Sequence, residues 1–90
     1  MSSAYRTDLH EAITTRDVRL SPYPADYDEC AECGHPAGVA VYWWDAYPPY
    51  GWTSAASCPL CAGLVIDRAL EECQDGTEVT VETDLLGVRP

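Results

Sequence analysis

Four cysteines in the pattern C-x2-C-x24-C-x2-C (Cys30, Cys33, Cys58 and Cys61) constrain this chain more than any other feature. Two residues between thiols let both sulfurs of a pair point at one ion at about 2.3 Å, and two such pairs complete a tetrahedron. A chain of 90 residues buries only ~60–65% of its unfolded surface, so its core is marginal without a staple. A structural metal contributes on the order of 10 kcal/mol to folding. The spacing therefore predicts one Zn2+ per chain on these four thiolates. Cys73 makes the cysteine count odd, which argues against a disulfide framework.

The residues around each pair predict different local structures. Gly34 directly follows the first pair, in CAECGH, where a knuckle turn calls for a positive φ that glycine adopts without steric cost. The second pair, in SCPLCAGLVIDRALEECQDG, has no glycine after Cys61. Pro59 stands where a first helical residue would, with Ser57 or Cys58 as cap, and Gly76 closes a helix running to about Gln74. On that reading Cys58 and Cys61 lie in the first helical turn, where N–H groups and the helix dipole favour thiolate charge.

Knuckle, hairpin and helix, with ligand pairs on the first and last, resemble the treble-clef zinc finger over about residues 28–75, on the strength of CAECG and SCPLCAGL. The resemblance implies a structural zinc on Cys30, Cys33, Cys58 and Cys61, and it implies no particular activity. Rubredoxins share small size, acidity, aromatic content and CxxCG knuckles around one iron. The missing second glycine and the helical pattern after Cys61 separate this chain from them. His35 follows a complete pair and is expected beside the site rather than in it. Cys73 is expected as a small core residue and His10 as an exposed helical one.

The expected fold is a small α+β domain in one unit, with an N-terminal helix and linker (1–27), a finger core (28–75) and a C-terminal strand and tail (76–90). Asp8 and Glu11 make a capping-box pattern ahead of Leu9, Ala12 and Ile13, predicting a helix over roughly 8–17. SPYPADYDE reads as an irregular linker. Residues 38–44, GVAVYWW, read as a strand, DAYPPYG as the loop after it, and WTSAA as the return towards Cys58. TEVTVETDL alternates strictly, with Val79, Val81, Thr83 and Leu85 inward, and is expected antiparallel to the hairpin. On the second helix, Ala62, Val65, Ile66, Ala69, Leu70 and Cys73 share one apolar face. Leu60 and Leu64 fall on its charged side, to pack on the N-terminal helix or to stay exposed for a partner.

Charge limits what the chain can bind. Fifteen acids against five arginines and no lysine give −10, which repels phosphate and excludes the usual basic nucleic-acid interface. The absence of lysine beside frequent Ala, Arg, Gly and Pro points to a GC-rich genome. No stretch approaches the roughly 20 apolar residues of a membrane span, and MSSAYRTDLHEA lacks a signal peptide's order, so a cytoplasmic, reducing setting is expected.

Six aromatics crowd residues 42–52, YWWDAYPPYGW. Trp43 and one of Tyr42 or Trp44 are expected to bury over the metal site. Trp44, Tyr47, Tyr50 and Trp52 are the candidate partner-binding residues, because Tyr and Trp on a stiff loop make hot spots. The loop could instead fold back on Tyr23 and Tyr27. Asp26, Asp28, Glu29 and Glu32 are the candidate steering charges towards a protein with a basic face. No Ser-His-Asp set, phosphate loop or open metal site stands out, so the expected role is a non-enzymatic adaptor or inhibitor. The other roles weighed are an iron electron carrier, a structural subunit of a larger assembly, and a nucleic-acid mimic that presents those four acids to a basic groove.

Overall fold

The computed structural model describes residues 9–21, 29–47 and 50–83. Helical residues 9–14 (α1) lead into β1 (Arg19–Ser21). A knuckle over residues 29–36 precedes β2 (Val39–Asp45) and β3 (Gly51–Ser57). Helix α2 (Ala62–Glu72) and strand β4 (Thr80–Glu82) complete the order. The four strands form one sheet in the order β1-β4-β2-β3. β2 is antiparallel to both β3 and β4, and β1 is parallel to β4.

Alternation along β2 decides which face is covered. Val39, Val41 and Trp43 point to one side and join Val79 and Val81 in the core. Helix α2 meets them with Ala62, Val65, Ile66 and Ala69, all fully buried. Full burial of a valine or isoleucine such as Val65 or Ile66 stabilises by about 1.5–3 kcal/mol relative to exposure. Truncating Ile66 to Ala at the centre of this contact would cost about 2–5 kcal/mol. Thr83 is also fully buried, its hydroxyl donating to the Gly38 carbonyl at 2.9 Å.

Trp43 is the large aromatic of the core, 2% exposed, and its indole Nε1–H has no hydrogen-bond partner among the described residues. Tyr42 and Trp44 are each half-buried on the other face of β2.

Several expectations need correcting. Residues 19–21 are strand rather than helix or linker, because Val18 and Leu20 pack on the core while Arg19, Leu20 and Ser21 pair with β4. α2 begins at Ala62, three residues after Pro59. Cys58 to Cys61 instead form a turn closed by Cys61 N–H to the Cys58 carbonyl, 3.1 Å, and Cys61 is the N-cap. Leu60 and Leu64 are 56% and 64% exposed, and Leu60 borders an open groove shared with Glu11 and Ala12 of α1. α1 puts Leu9, Ala12 and Ile13 into the main core instead. It is tied to α2 by Arg16, whose Nε and Nη2 fork onto both oxygens of Asp67 at 2.8 and 3.2 Å. Asp8, Tyr23, Tyr27 and Leu85 lie outside the described residues.

Candidate metal centre

The knuckle is built by local backbone bonds. The Cys30 N–H donates to the His35 carbonyl (2.7 Å), and Gly34 N–H returns to the Cys30 carbonyl (3.0 Å). Closing that loop puts Gly34 at φ +77°, with open space where a Cβ would stand. The Glu32 N–H donates to the Cys30 sulfur at 3.4 Å, so the backbone supports a thiolate there. A bond from Ala31 N–H to the Ala56 carbonyl, 3.0 Å, docks the knuckle on the end of β3. One residue later the buried Ser57 donates its hydroxyl to the Cys58 carbonyl at 2.7 Å. The sheet thus fixes both pairs from one strand end.

The result is a cluster of four sulfurs, from Cys30, Cys33, Cys58 and Cys61, all within 4.8 Å of one another. A tetrahedral ion with Zn–S bonds near 2.3 Å has sulfur–sulfur edges of about 3.8 Å. The Cys33–Cys58 separation is 3.6 Å. Four soft, converging donors at that separation fit a single thiophilic ion, and a carboxylate- or water-bound Mg2+ or Ca2+ is a poor match. Cys30 and Cys58 are buried, Cys61 is half-buried and Cys33 is exposed.

Proton affinities of the thiols fall apart in the way a crowded, negatively charged cluster requires. At Cys30 burial acts to raise the affinity, but hydrogen bonds from the backbone at Cys58, Glu32 and Cys33 outweigh it and bring the group down to about 6. The neighbouring Cys58 thiol, then burial, pushes Cys61 up to about 12. At Cys33 the backbone at His35 favours the thiolate, while burial and the Cys58 thiol hold the group above its ordinary range. Thiolates this close repel one another unless a cation sits between them. A dication reverses the preference and displaces the protons.

His35 stays outside the donor set, its Nδ1 3.1 Å from the Cys33 sulfur on the exposed side. Cys73 is also apart: its thiol donates to the Leu70 carbonyl at 3.5 Å, at the far end of α2.

The candidate interaction residues divide between two ends of the sheet. β2 starts beside the knuckle at Val39 and ends at Asp45, six residue steps or roughly 20 Å away. Tyr47, Tyr50 and Trp52 are 60%, 67% and 70% exposed at that far end. Trp44 faces Trp52 directly across the ladder, ring centroids 5.4 Å apart and nearly perpendicular. The Asp45 carboxylate accepts from Tyr47 N–H at 2.8 Å and stiffens the exit from β2. Glu29 and Glu32 sit on the knuckle, at the metal end, and Glu32 is engaged by Arg68. Asp26 and Asp28 lie outside the described residues. Asp45 itself lies at the aromatic end, and the end of α2 runs beside it, since Ala46 N–H donates to the Glu72 carbonyl and Gln74 N–H to the Trp44 carbonyl, each 2.8 Å.

Among the described residues, no helix is long and apolar enough to cross a membrane. No protein-family model matches the chain, and neither a curated protein nor a solved structure does.

Proposed function

We propose that the chain is a zinc-stapled protein-interaction module, an adaptor or inhibitor without catalytic activity of its own. Its knuckle, β2–β3 hairpin and α2 are arranged as in a treble clef, with zinc on Cys30, Cys33, Cys58 and Cys61. Zinc suits the role because four thiolates close its coordination sphere and leave no position for a substrate or water. The metal then acts on folding and orientation alone, and the hairpin is held from its metal end.

The observation that carries the interaction role is the exposure of Tyr47, Tyr50 and Trp52 together at the free end of that hairpin. A single exposed aromatic is ordinary, but three at one end of a hairpin exceed what solubility favours in an isolated domain. Rigid Tyr and Trp side chains lose little entropy on binding and bury large areas, so they dominate interface energetics. The surplus of acids favours partners with a basic face and speeds their encounter.

The test is a triple variant, Tyr47→Ala, Tyr50→Ala and Trp52→Ala. It should keep its metal and its unfolding temperature while losing the cellular partner that the parent protein captures, with about 2 kcal/mol lost for at least one of the single changes. Unfolding of the triple variant, with binding per folded molecule unchanged, would make the aromatics core residues and end the proposal.

A further inference from the structure

Solvent reaches the four sulfurs unequally. Cys30 and Cys58 are buried and Cys61 is half-buried, whereas Cys33 is exposed. A buried cysteine is kept in its rotamer by the atoms packed around it. An exposed one has only its bonds to hold it, and rotation about a single side-chain torsion turns the Cys33 sulfur towards the cluster or away from it. Of the four positions this is the one where a competing thiol or chelator gains access.

One side chain reaches that sulfur from the solvent side. His35 Nδ1 lies 3.1 Å from Cys33 Sγ, and both residues are exposed. A thiolate that holds a metal carries no hydrogen and can only accept, so the ring must carry its hydrogen on Nδ1 and donate. The bond fixes where the sulfur points. It also draws charge off a site that stays negative with a dication bound, in a chain already at −10. The Cys30 sulfur has its own donor in the Glu32 N–H at 3.4 Å, but that donor is backbone and belongs to the knuckle itself. The backbone of His35 has a separate task, its carbonyl accepting from Cys30 N–H at 2.7 Å to close the knuckle. That bond survives any change of side chain, so the ring is open to test by itself.

Resting on the four-thiolate zinc site above, we propose that His35 is a positioning residue that sets how fast the metal is exchanged. Its Nδ1–H bond holds Cys33, the exposed ligand, in place against competing soft donors such as thiols. Exchange runs through Cys33 rather than through the buried pair, and the side chain at position 35 governs its rate.

The experiment compares the full chain with His35→Phe, which keeps a ring and removes the donor, and with His35→Asn, whose Nδ2–H takes the place of Nδ1–H. Each zinc-loaded protein is mixed with excess chromophoric chelator at one fixed pH, and the transfer of metal is timed. His35→Phe should release zinc about fivefold faster, the order expected for one hydrogen bond, and His35→Asn should stay within about twofold of the parent. Loading with cobalt(II) instead reads the sulfur directly. Loss of the hydrogen bond raises the energy of the thiolate lone pairs, so the sulfur-to-cobalt charge-transfer absorption of His35→Phe should move to longer wavelength while that of His35→Asn stays in place. Unchanged release in His35→Phe, with or without a spectral shift, or a His35→Asn that behaves like His35→Phe, would overturn the proposal. If all three proteins hold one metal and release it at one rate, the zinc site stands and the role of His35 falls. A parent chain that binds no metal, or a His35→Phe that binds none, ends the four-thiolate site and this role together.

Discussion

Replacing Gly34 with alanine isolates the conformational demand of the knuckle. Gly34 sits at φ +77°, and a Cβ built there meets nothing within 4 Å. The substitution therefore introduces no clash, and its whole cost is that of holding an L-residue in the left-handed region, about 1–2 kcal/mol. The knuckle must take this shape for Cys30 and Cys33 to converge, so the cost is charged against metal binding. With 1.4 kcal/mol per factor of ten, apparent zinc affinity should fall about 5- to 30-fold. Asparagine visits the left-handed region more readily, so Gly34→Asn should lose less than Gly34→Ala. Competition against a chromophoric chelator at fixed pH measures all three proteins on one scale. Affinity within twofold for Gly34→Ala, or a greater loss for Asn than for Ala, would refute the assignment of this turn.

Further expectations follow from the same geometry. Cys58→Ser or Cys61→Ser should abolish metal retention and cooperative unfolding, because the ion contributes on the order of 10 kcal/mol to a domain whose total stability is about 5–15. Cys73→Ser and His35→Ala should keep the metal, since both lie outside the sulfur cluster; metal loss on changing His35 would make the donor set wrong. Protons should compete with the ion: Cys33 and Cys61 are held above the ordinary thiol range, so binding near neutrality releases at least two protons. Apparent affinity should then rise at least about a hundredfold per pH unit between pH 6 and 7.5, and a slope of one proton or fewer in the chelator assay would contradict this. At Trp43, whose buried Nε1–H lacks a partner among the described residues, removing the indole nitrogen recovers a desolvation cost of about 1–3 kcal/mol that offsets the lost volume. Trp43→Phe should thus stay near the parent in denaturant unfolding while Trp43→Ala loses about 3–5 kcal/mol; equal losses would disprove the unpaired donor.

Parts of the structure governed by local repetition were legible in the sequence. Val39, Val41 and Trp43 alternate, Ala62, Val65, Ile66 and Ala69 recur at helical spacing, and each set occupies the interior. The two CxxC pairs converge because their spacing allows little else. Features decided by distant partners were not legible. β1 has only three residues, and what makes it a strand is parallel pairing with β4, some sixty residues later. Pro59 is a good first helical residue, yet the turn that lets Cys58 and Cys61 share a site takes precedence and delays α2. Distance in space from the aromatic loop depends on strand direction: Glu29 and Glu32 are close to the loop along the chain, but β2 carries the loop to the other end of the sheet. The backbone of Glu72, much further along the chain, returns beside the exit of β2, its carbonyl accepting from Ala46 N–H.

Metal analysis of the purified full chain, with thiol titration on the same sample, tests the central claim most directly. The account predicts about one zinc per chain, a colourless protein because the d¹⁰ ion has no visible transitions, and four thiols that react only after chelation. One iron per chain, with a red colour that bleaches on reduction, would contradict it in favour of an electron carrier. Metal-free protein that still unfolds cooperatively would contradict the metal centre altogether.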